Sequence, residues 1–479
     1  MNMENLLSEG IKATPPSFVR GILKAASDPD VISFAGGLPN PVSFPQEELL
    51  VSMERIVRTY GSRVFQYSVT AGLPELRQYI AERYNRIFGL HLTVENILIT
   101  TGSQQALDLI GKVLLNKGDG VIVERPTYLA AIQAFSMHQP VFYPVELTED
   151  GMNPAELEEA LQNPVKFIYA IPDFQNPTGL TYSAANRQCI CDMLKDRDVI
   201  LVEDDPYGEL RFDGERLPYI GAGKLPGSIV LGTFSKTVTP GMRTGFIISE
   251  NRDLLKSISI AKEASDLHTN IFSQYLLWDY LVNNDLDRHI AKIRALYKKQ
   301  AQAMMDAMEK YFPPTVKYTK PHGGMFLWVT LPEGVSAMSL FPKALERKVA
   351  FVPGAPFYAH GRPEEICQLR LADARRASSG EGHSPTRLHT GNPKEICQQG
   401  LTDARCASSG EGHSPTRLHT GNPKEICQQG LTGAQCTSRA HSGKEDINTM
   451  RLNFTNADCG TIEEGIRRLG ELLSDHLFG

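Results

Sequence analysis

Thr233-Phe234-Ser235-Lys236, followed by Pro240-Gly241-Met242-Arg243-Thr244-Gly245, is the stretch that decides the fold. It follows one short β-rich run, Ile229–Leu231, and leads into another, Gly245–Ile248. A lone lysine at a strand end ordinarily keeps its ammonium in water. Here a serine precedes the lysine and an arginine follows it across a Pro-Gly turn. A lysine that forms a Schiff base needs a depressed pKa, and a phosphate beside it needs a cation and hydroxyl donors. Ser235, Lys236 and Arg243 supply that set.

Working outward, further β-rich runs stand at Ile97–Ile99, Val121–Val123, Phe167–Ile171 and Val199–Val202, with helical patterns such as Ala106–Leu115 between several of them. This alternation predicts an α/β fold with a mainly parallel sheet covered by helices. A later region holds Met325–Val329, Val349–Val352 and Arg451–Phe454. A final amphipathic helix carries Ile462, Ile466, Leu469 and Leu472. These predict a smaller α+β domain, completed by the N-terminal arm.

Polar motifs punctuate the strand ends. Glu203-Asp204-Asp205-Pro206-Tyr207 offers a carboxylate that could pair with a protonated ring nitrogen, or could simply be a surface acidic cluster. Phe174-Gln175-Asn176-Pro177-Thr178-Gly179 reads alone as a turn. Thr100-Thr101-Gly102-Ser103-Gln104-Gln105 opens a helix, whose N-terminal N–H groups suit an anion as well as a plain serine cap. Tyr128, in Arg125-Pro126-Thr127-Tyr128, is either a core tyrosine or a stacking platform.

Taken in order, GSQQ (102–105), PTY (126–128), NPTG (176–179), EDDPY (203–207) and TFSK…PGMR (233–243) closely resemble class I/II aminotransferases of pyridoxal-phosphate (PLP) fold type I. Ser33-Phe34-Ala35-Gly36-Gly37-Leu38-Pro39 and Lys320-Pro321-His322-Gly323-Gly324-Met325-Phe326 narrow the resemblance to the 2-aminoadipate and kynurenine aminotransferase subgroup. It spans nearly all of 15–361 and 446–475. It implies a large PLP-binding domain at 46–290, a small domain from 291–361 and 446–479, and an N-terminal arm at 1–45. PLP is the implied cofactor. The implied reaction moves an amino group from an α-amino acid (2-aminoadipate, glutamate, aromatic or branched-chain) to a 2-oxo acid such as 2-oxoglutarate.

Carried over by residue, the resemblance makes Lys236 the lysine that bears the cofactor and moves the substrate α-proton. Asp204 pairs with the pyridine nitrogen. Asn176 and Tyr207 hold the phenolic oxygen, Tyr128 stacks on the ring, and Ser103, Gln104, Ser235 and Arg243 hold the phosphate. Tyr67 looks like the tyrosine that reaches the neighbouring subunit's phosphate, which implies a homodimer. Arg451 resembles the clamp on the substrate α-carboxylate, with Gly37 and Asn176 beside it. Arg20 resembles the subgroup's arginine for a side-chain carboxylate. The pairing of Arg20 with Arg451 weighs against a β-lyase or decarboxylase of the same fold. The start of the resemblance near residue 15 weighs against an effector-binding regulator with an N-terminal DNA-binding domain. An inactive homologue broken by an insertion is the third rival, and the complete motif set weighs against it.

The insertion is the departure from the family. Residues 365–394 recur at 395–424 with differences only at 369/399, 370/400, 372/402 and 376/406, and a decaying third copy starts at Glu425. No aromatic residue lies between Tyr358 and Phe454, so 362–445 is predicted to be largely disordered. Closing so long a loop costs about 2–2.5 kcal/mol. Its histidines and cysteines lack usable ligand spacing, so no metal is expected, and its cysteines with the others are read as reduced thiols. The net charge of −6 leaves no footprint for nucleic acid. No apolar run approaches the roughly 20 residues of a membrane span. Met1–Lys12 lacks a signal h-region, so a cytoplasmic location is expected.

Overall fold

A computed structural model describes residues 3–15, 22, 28–359 and 448–478. Arg20 and the repeat insertion, 362–445, lie outside the described residues. The described strands, in chain order, are β1 (Ile32–Ser33), β2 (Ile97–Thr100), β3 (Gly120–Arg125), β4 (Val141–Thr148), β5 (Gly151–Met152), β6 (Val165–Ala170), β7 (Ile200–Asp204), β8 (Ser228–Thr233), β9 (Gly245–Ile248), β10 (Lys317–Tyr318), β11 (Phe326–Thr330), β12 (Val349–Ala350), β13 (Val352–Pro353) and β14 (Thr449–Asn453).

The large sheet has the order β2-β9-β8-β7-β6-β3-β4-β5. Strands β8, β7, β6, β3 and β4 pair in parallel. Strand β9 runs antiparallel to both β8 and β2. Val121, Ile122 and Val123 are fully buried, as are Phe167, Ile168 and Tyr169. Such unbroken apolar runs are what a sheet covered on both faces requires. The helix Gly102–Leu114 buries Ala106, Leu107, Leu109 and Ile110 against the sheet and returns a polar face to solvent.

The second sheet, β10-β11-β14-β13, is antiparallel. The 26-residue helix Leu286–Tyr311 packs against the last helix, Cys459–Phe478, which buries Ile462, Ile466, Leu469 and Leu473. The apolar run 349–352, read from sequence as one strand, is two. Strand β12 pairs in parallel with β1, whereas β13 pairs with β14, and the chain changes sheet at the fully buried Phe351.

Parallel strands deliver their C-terminal ends to one side, where an open α/β sheet forms its crevice. The end of β7 carries Asp204, and the loops after β3 and β6 carry Tyr128 and Asn176. The segment from β8 to β9 carries Ser235, Lys236 and Arg243. Strand β14 brings Arg451 from the second sheet.

Candidate active site

These ends enclose a cavity of about 280 Å³ lined by Gly37, Ser103, Gln104, Tyr128, Asn176, Asp204, Tyr207, Ser235, Lys236, Arg243 and Arg451. Lys236 Nζ donates to the Gly37 carbonyl at 2.9 Å. Burial, and then the charges of Arg451 and Arg243, push the Lys236 pKa down to about 8.

Asp204 is 2% exposed. Its Oδ2 accepts from the Tyr169 hydroxyl at 2.7 Å, while its buried Oδ1 has no hydrogen-bond partner. Burial pushes its pKa up to about 7, and the Tyr169 bond pulls the other way. A buried carboxylate oxygen left without a donor is costly, and it fits a ligand that brings its own N–H.

At one end of the cavity stands an anion cup. Gly102 has φ +72°, and a Cβ there would meet Arg243 Nη2 at 2.6 Å, so only glycine lets the guanidinium approach the helix N-terminus. Arg243 Nη1 lies 3.5 Å from Ser235 Oγ, and the Ser235 and Thr233 hydroxyls are 3.0 Å apart. At the other end, Arg451 is 3% exposed and donates to Asn176 Oδ1 at 2.9 Å and to the Ala35 carbonyl at 2.7 Å. Its guanidinium lies over the Phe326 ring at 4.3 Å and near that of Phe357 at 5.2 Å. Arg451 Nε is buried without a partner. Asn176 Nδ2 donates to the Tyr207 hydroxyl at 3.5 Å.

One sequence-predicted residue stands apart from this cavity. Tyr67 is 79% exposed and meets His268 edge-on with ring centroids 5.9 Å apart. Arg20 lies outside the described residues. Sequence reasoning missed Tyr169, the donor behind Asp204, and Phe326, the ring under Arg451. Tyr169 carries a detectable signal: a hydroxyl in the fully buried core of a predicted strand needs a partner. Phe326 sits in the GGMF motif, but nothing local marks it as a partner for an arginine far along the chain.

The family model "Aminotransferase class I and II" matches residues 43–371. The chain belongs to the class I/II aminotransferases. It is 42% identical over 389 residues to aromatic-amino-acid aminotransferase 1 of Thermococcus litoralis, covering 80% of this chain and 93% of that protein. It is 41% identical over 388 residues to the 2-aminoadipate transaminase of Thermus thermophilus, covering 80% and 96%. Among solved structures, the kynurenine aminotransferase of Pyrococcus horikoshii in complex with PMP superposes with a TM-score of 0.79 at 34% identity, covering 100% of this chain and 99% of that one. The chain is therefore a PLP-dependent transaminase of fold type I, and the cavity suits that cofactor. The unpartnered Asp204 Oδ1 suits a protonated ring nitrogen, and the Gly102–Arg243 cup suits a phosphate. Among the described residues no cluster of histidines, cysteines and carboxylates is placed to hold a metal.

Proposed function

We propose that this aminotransferase cycles between an α-amino acid and 2-oxoglutarate, with 2-aminoadipate, glutamate, aromatic and branched-chain amino acids as the candidate donors. The observation that carries the proposal is Lys236 Nζ in a cavity with Asp204 and with Arg243 and Arg451. PLP, when bound, supplies a ring that accepts the electron pair left when the substrate Cα–H bond breaks. Asp204 Oδ1 would hold the ring nitrogen protonated. Asn176 and Tyr207 would hold the phenolic oxygen, Tyr128 would support the ring, and Ser103, Gln104, Ser235 and Arg243 would hold the phosphate. Arg451 offers its Nε and remaining Nη hydrogens to the substrate α-carboxylate, which places Cα near Lys236. Lys236 Nζ would take the Cα proton and pass it on to C4′ of the cofactor; a depressed pKa keeps a useful share of the amine neutral near pH 7.

Distal carboxylate recognition is assigned to Arg20. A panel of donors against 2-oxoglutarate tests the range. Arg20→Ala should weaken 2-aminoadipate and glutamate far more than leucine or phenylalanine, and an equal loss across donors would make Arg20 structural. We also propose a homodimer in which Tyr67 serves the neighbouring subunit's phosphate. The exposure of Phe65, Tyr67 and Val69 supports it. Mixing Tyr67→Phe with Lys236→Ala protein and looking for regained turnover tests it. The division into an arm (1–45), a large domain (46–290) and a small domain (291–361 and 446–479) is proposed on the same footing. So is a cytoplasmic location; no helix of the described residues is long and apolar enough to cross a membrane.

A further inference from the structure

Glu124, at the end of β3, is fully buried. No lysine, arginine or histidine among the described residues forms an ion pair with it. It is met instead by four donors. Oε1 accepts from the Ile171 N–H at 2.9 Å and the Tyr182 hydroxyl at 2.8 Å. Oε2 accepts from Gln175 Nε2 at 2.7 Å and, more distantly, from the Thr127 hydroxyl at 3.4 Å. A charge placed this deep survives only on such a set, and each member becomes hard to move.

Those donors belong to the two loops that deliver the ring-side groups of the cavity. Thr127 immediately precedes Tyr128, and Gln175 immediately precedes Asn176. Gln175 is itself fully committed. Its Nε2 also reaches the Pro126 carbonyl at 2.9 Å, and its Oε1 accepts from Thr178 N at 2.9 Å and Thr178 Oγ1 at 2.7 Å. The Gln175 side chain therefore links the Tyr128 loop to the Asn176 loop, with Glu124 as its anchor. Asn176 in turn holds both Tyr207 and Arg451.

We propose that Glu124 is a positioning residue of this transaminase, setting Asn176 through Gln175 and Tyr128 through Thr127. The proposal rests on the assignment of Asn176 and Tyr207 to the phenolic oxygen. Burial raises the Glu124 pKa to about 8 even with the four donors in place, so variants are compared above that pH. The ionised form is the one this geometry favours, because the Ile171 N–H and the twice-fixed Gln175 amide cannot turn into acceptors. Glutamine keeps the size of the side chain but must turn an NH₂ toward one oxygen position, against donors already there.

The test compares the Glu124→Gln and Tyr182→Phe holoenzymes with the parent, by pH titration of the visible absorption and by kcat at pH 8.5. Tyr182→Phe removes one donor from Oε1 but leaves both loop links on Oε2. A displaced Asn176 gives up part of its bond to the ring oxygen, which then holds the proton of the lysine–cofactor linkage more firmly. Glu124→Gln should therefore raise the pH midpoint of the cofactor's visible absorption by about half a unit or more. It should also lower kcat by about tenfold or more. Tyr182→Phe should lower the melting temperature while leaving the midpoint within about 0.3 of a pH unit and kcat within about twofold of the parent. Glutamine also mimics a protonated Glu124, so a Glu124→Gln protein with parental midpoint and kcat overturns the proposal, whatever its melting temperature. If Glu124→Gln does not fold, Gln175→Met removes the same link from the other side; a parental midpoint there overturns the proposal equally. Failure of the underlying assignment is separate and seen first, because Asn176→Ala would then leave the parental midpoint unmoved.

Discussion

Removing and restoring the cofactor tests the electrostatics of Lys236 directly. Only a neutral amine can attack the PLP carbonyl, so the capture rate follows the neutral fraction. With its pKa lowered from 10.5 to about 8, Lys236 is ~9% neutral at pH 7, against ~0.03% for an ordinary lysine, a gain of roughly 300-fold. The second-order rate of PLP capture by apoprotein, followed by stopped-flow absorbance, should rise tenfold per pH unit up to about 8 and then level off. Burial is the larger cause of the depression, and the Arg451 charge is the next. Arg451→Met should therefore move the break upward, since it removes a neighbouring positive charge. A rate still climbing with unit slope at pH 9.5 would refute the reasoning, because it would mean that Lys236 titrates like a surface lysine. Lys236→Ala should show no covalent capture.

The remaining predictions concern the partners of Lys236 and the chain around them. Asp204→Asn should keep bound PLP but lower turnover severely; near-normal turnover would move the ring-nitrogen role elsewhere. In the apoprotein, Asp204 is held at about 7 by burial. The folded state thus binds more protons than the unfolded state between about pH 4 and 7, and stability falls as pH rises through that window, by at most about 4 kcal/mol. Calorimetry should find that decline shallower in Asp204→Asn apoprotein, and an identical slope would count against a buried, proton-retaining Asp204. Arg451→Lys loses the planar fork and the fit between Phe326 and Phe357; KM for donor and acceptor should both rise about 100-fold or more, whereas a change for one substrate alone would contradict a shared α-carboxylate clamp. Deleting 363–444 joins Arg362 to Glu445, on a connection whose flanking strands already pair at Pro353↔Met450. Activity and melting temperature should be kept or improved, and loss of PLP binding or of dimerisation would give the insertion a role.

Much of the fold is legible because parallel strands buried on both faces must be apolar throughout. Runs such as Val121–Val123 and Phe167–Ile171 therefore announce themselves. Strand β4 does not: Pro144 interrupts it, and burial is intermittent along it. The antiparallel course of β9 is equally silent, since Gly245–Ile248 is as apolar as its parallel neighbours and direction leaves no mark on composition. The split of 349–352 escapes for a related reason. Both halves are buried, and only their partners, β1 and β14, distinguish them. In the site, residues within a motif are legible and residues joined across motifs are not. Asp204 is read from its neighbours in sequence. Tyr169, 35 residues away in sequence and 2.7 Å away in space, becomes its partner only once β6 and β7 lie side by side, with Tyr169 opposite Val202.

The charges of the cavity explain why this arrangement binds PLP and an amino acid in the same place. Lys236, Arg243 and Arg451 bring three cationic groups against the single carboxylate of Asp204. Like charges within one low-dielectric space raise each other's cost of protonation. Arg451 keeps its charge at the working pH, since burial lowers its pKa only to about 10. Lys236 responds most in function, because its shift brings it close to the working pH. The imbalance is what the ligands correct. On the proposed assignment, a phosphate would satisfy the Arg243 cup, a protonated ring nitrogen would meet the unpaired Asp204 oxygen, and a substrate carboxylate would meet Arg451. Each arrives with the charge its subsite lacks, and none of them needs Lys236 to be protonated. Burial, the first cause of the low Lys236 pKa, is not relieved by those ligands, so the lysine can still take a proton rather than hold one, as transamination requires.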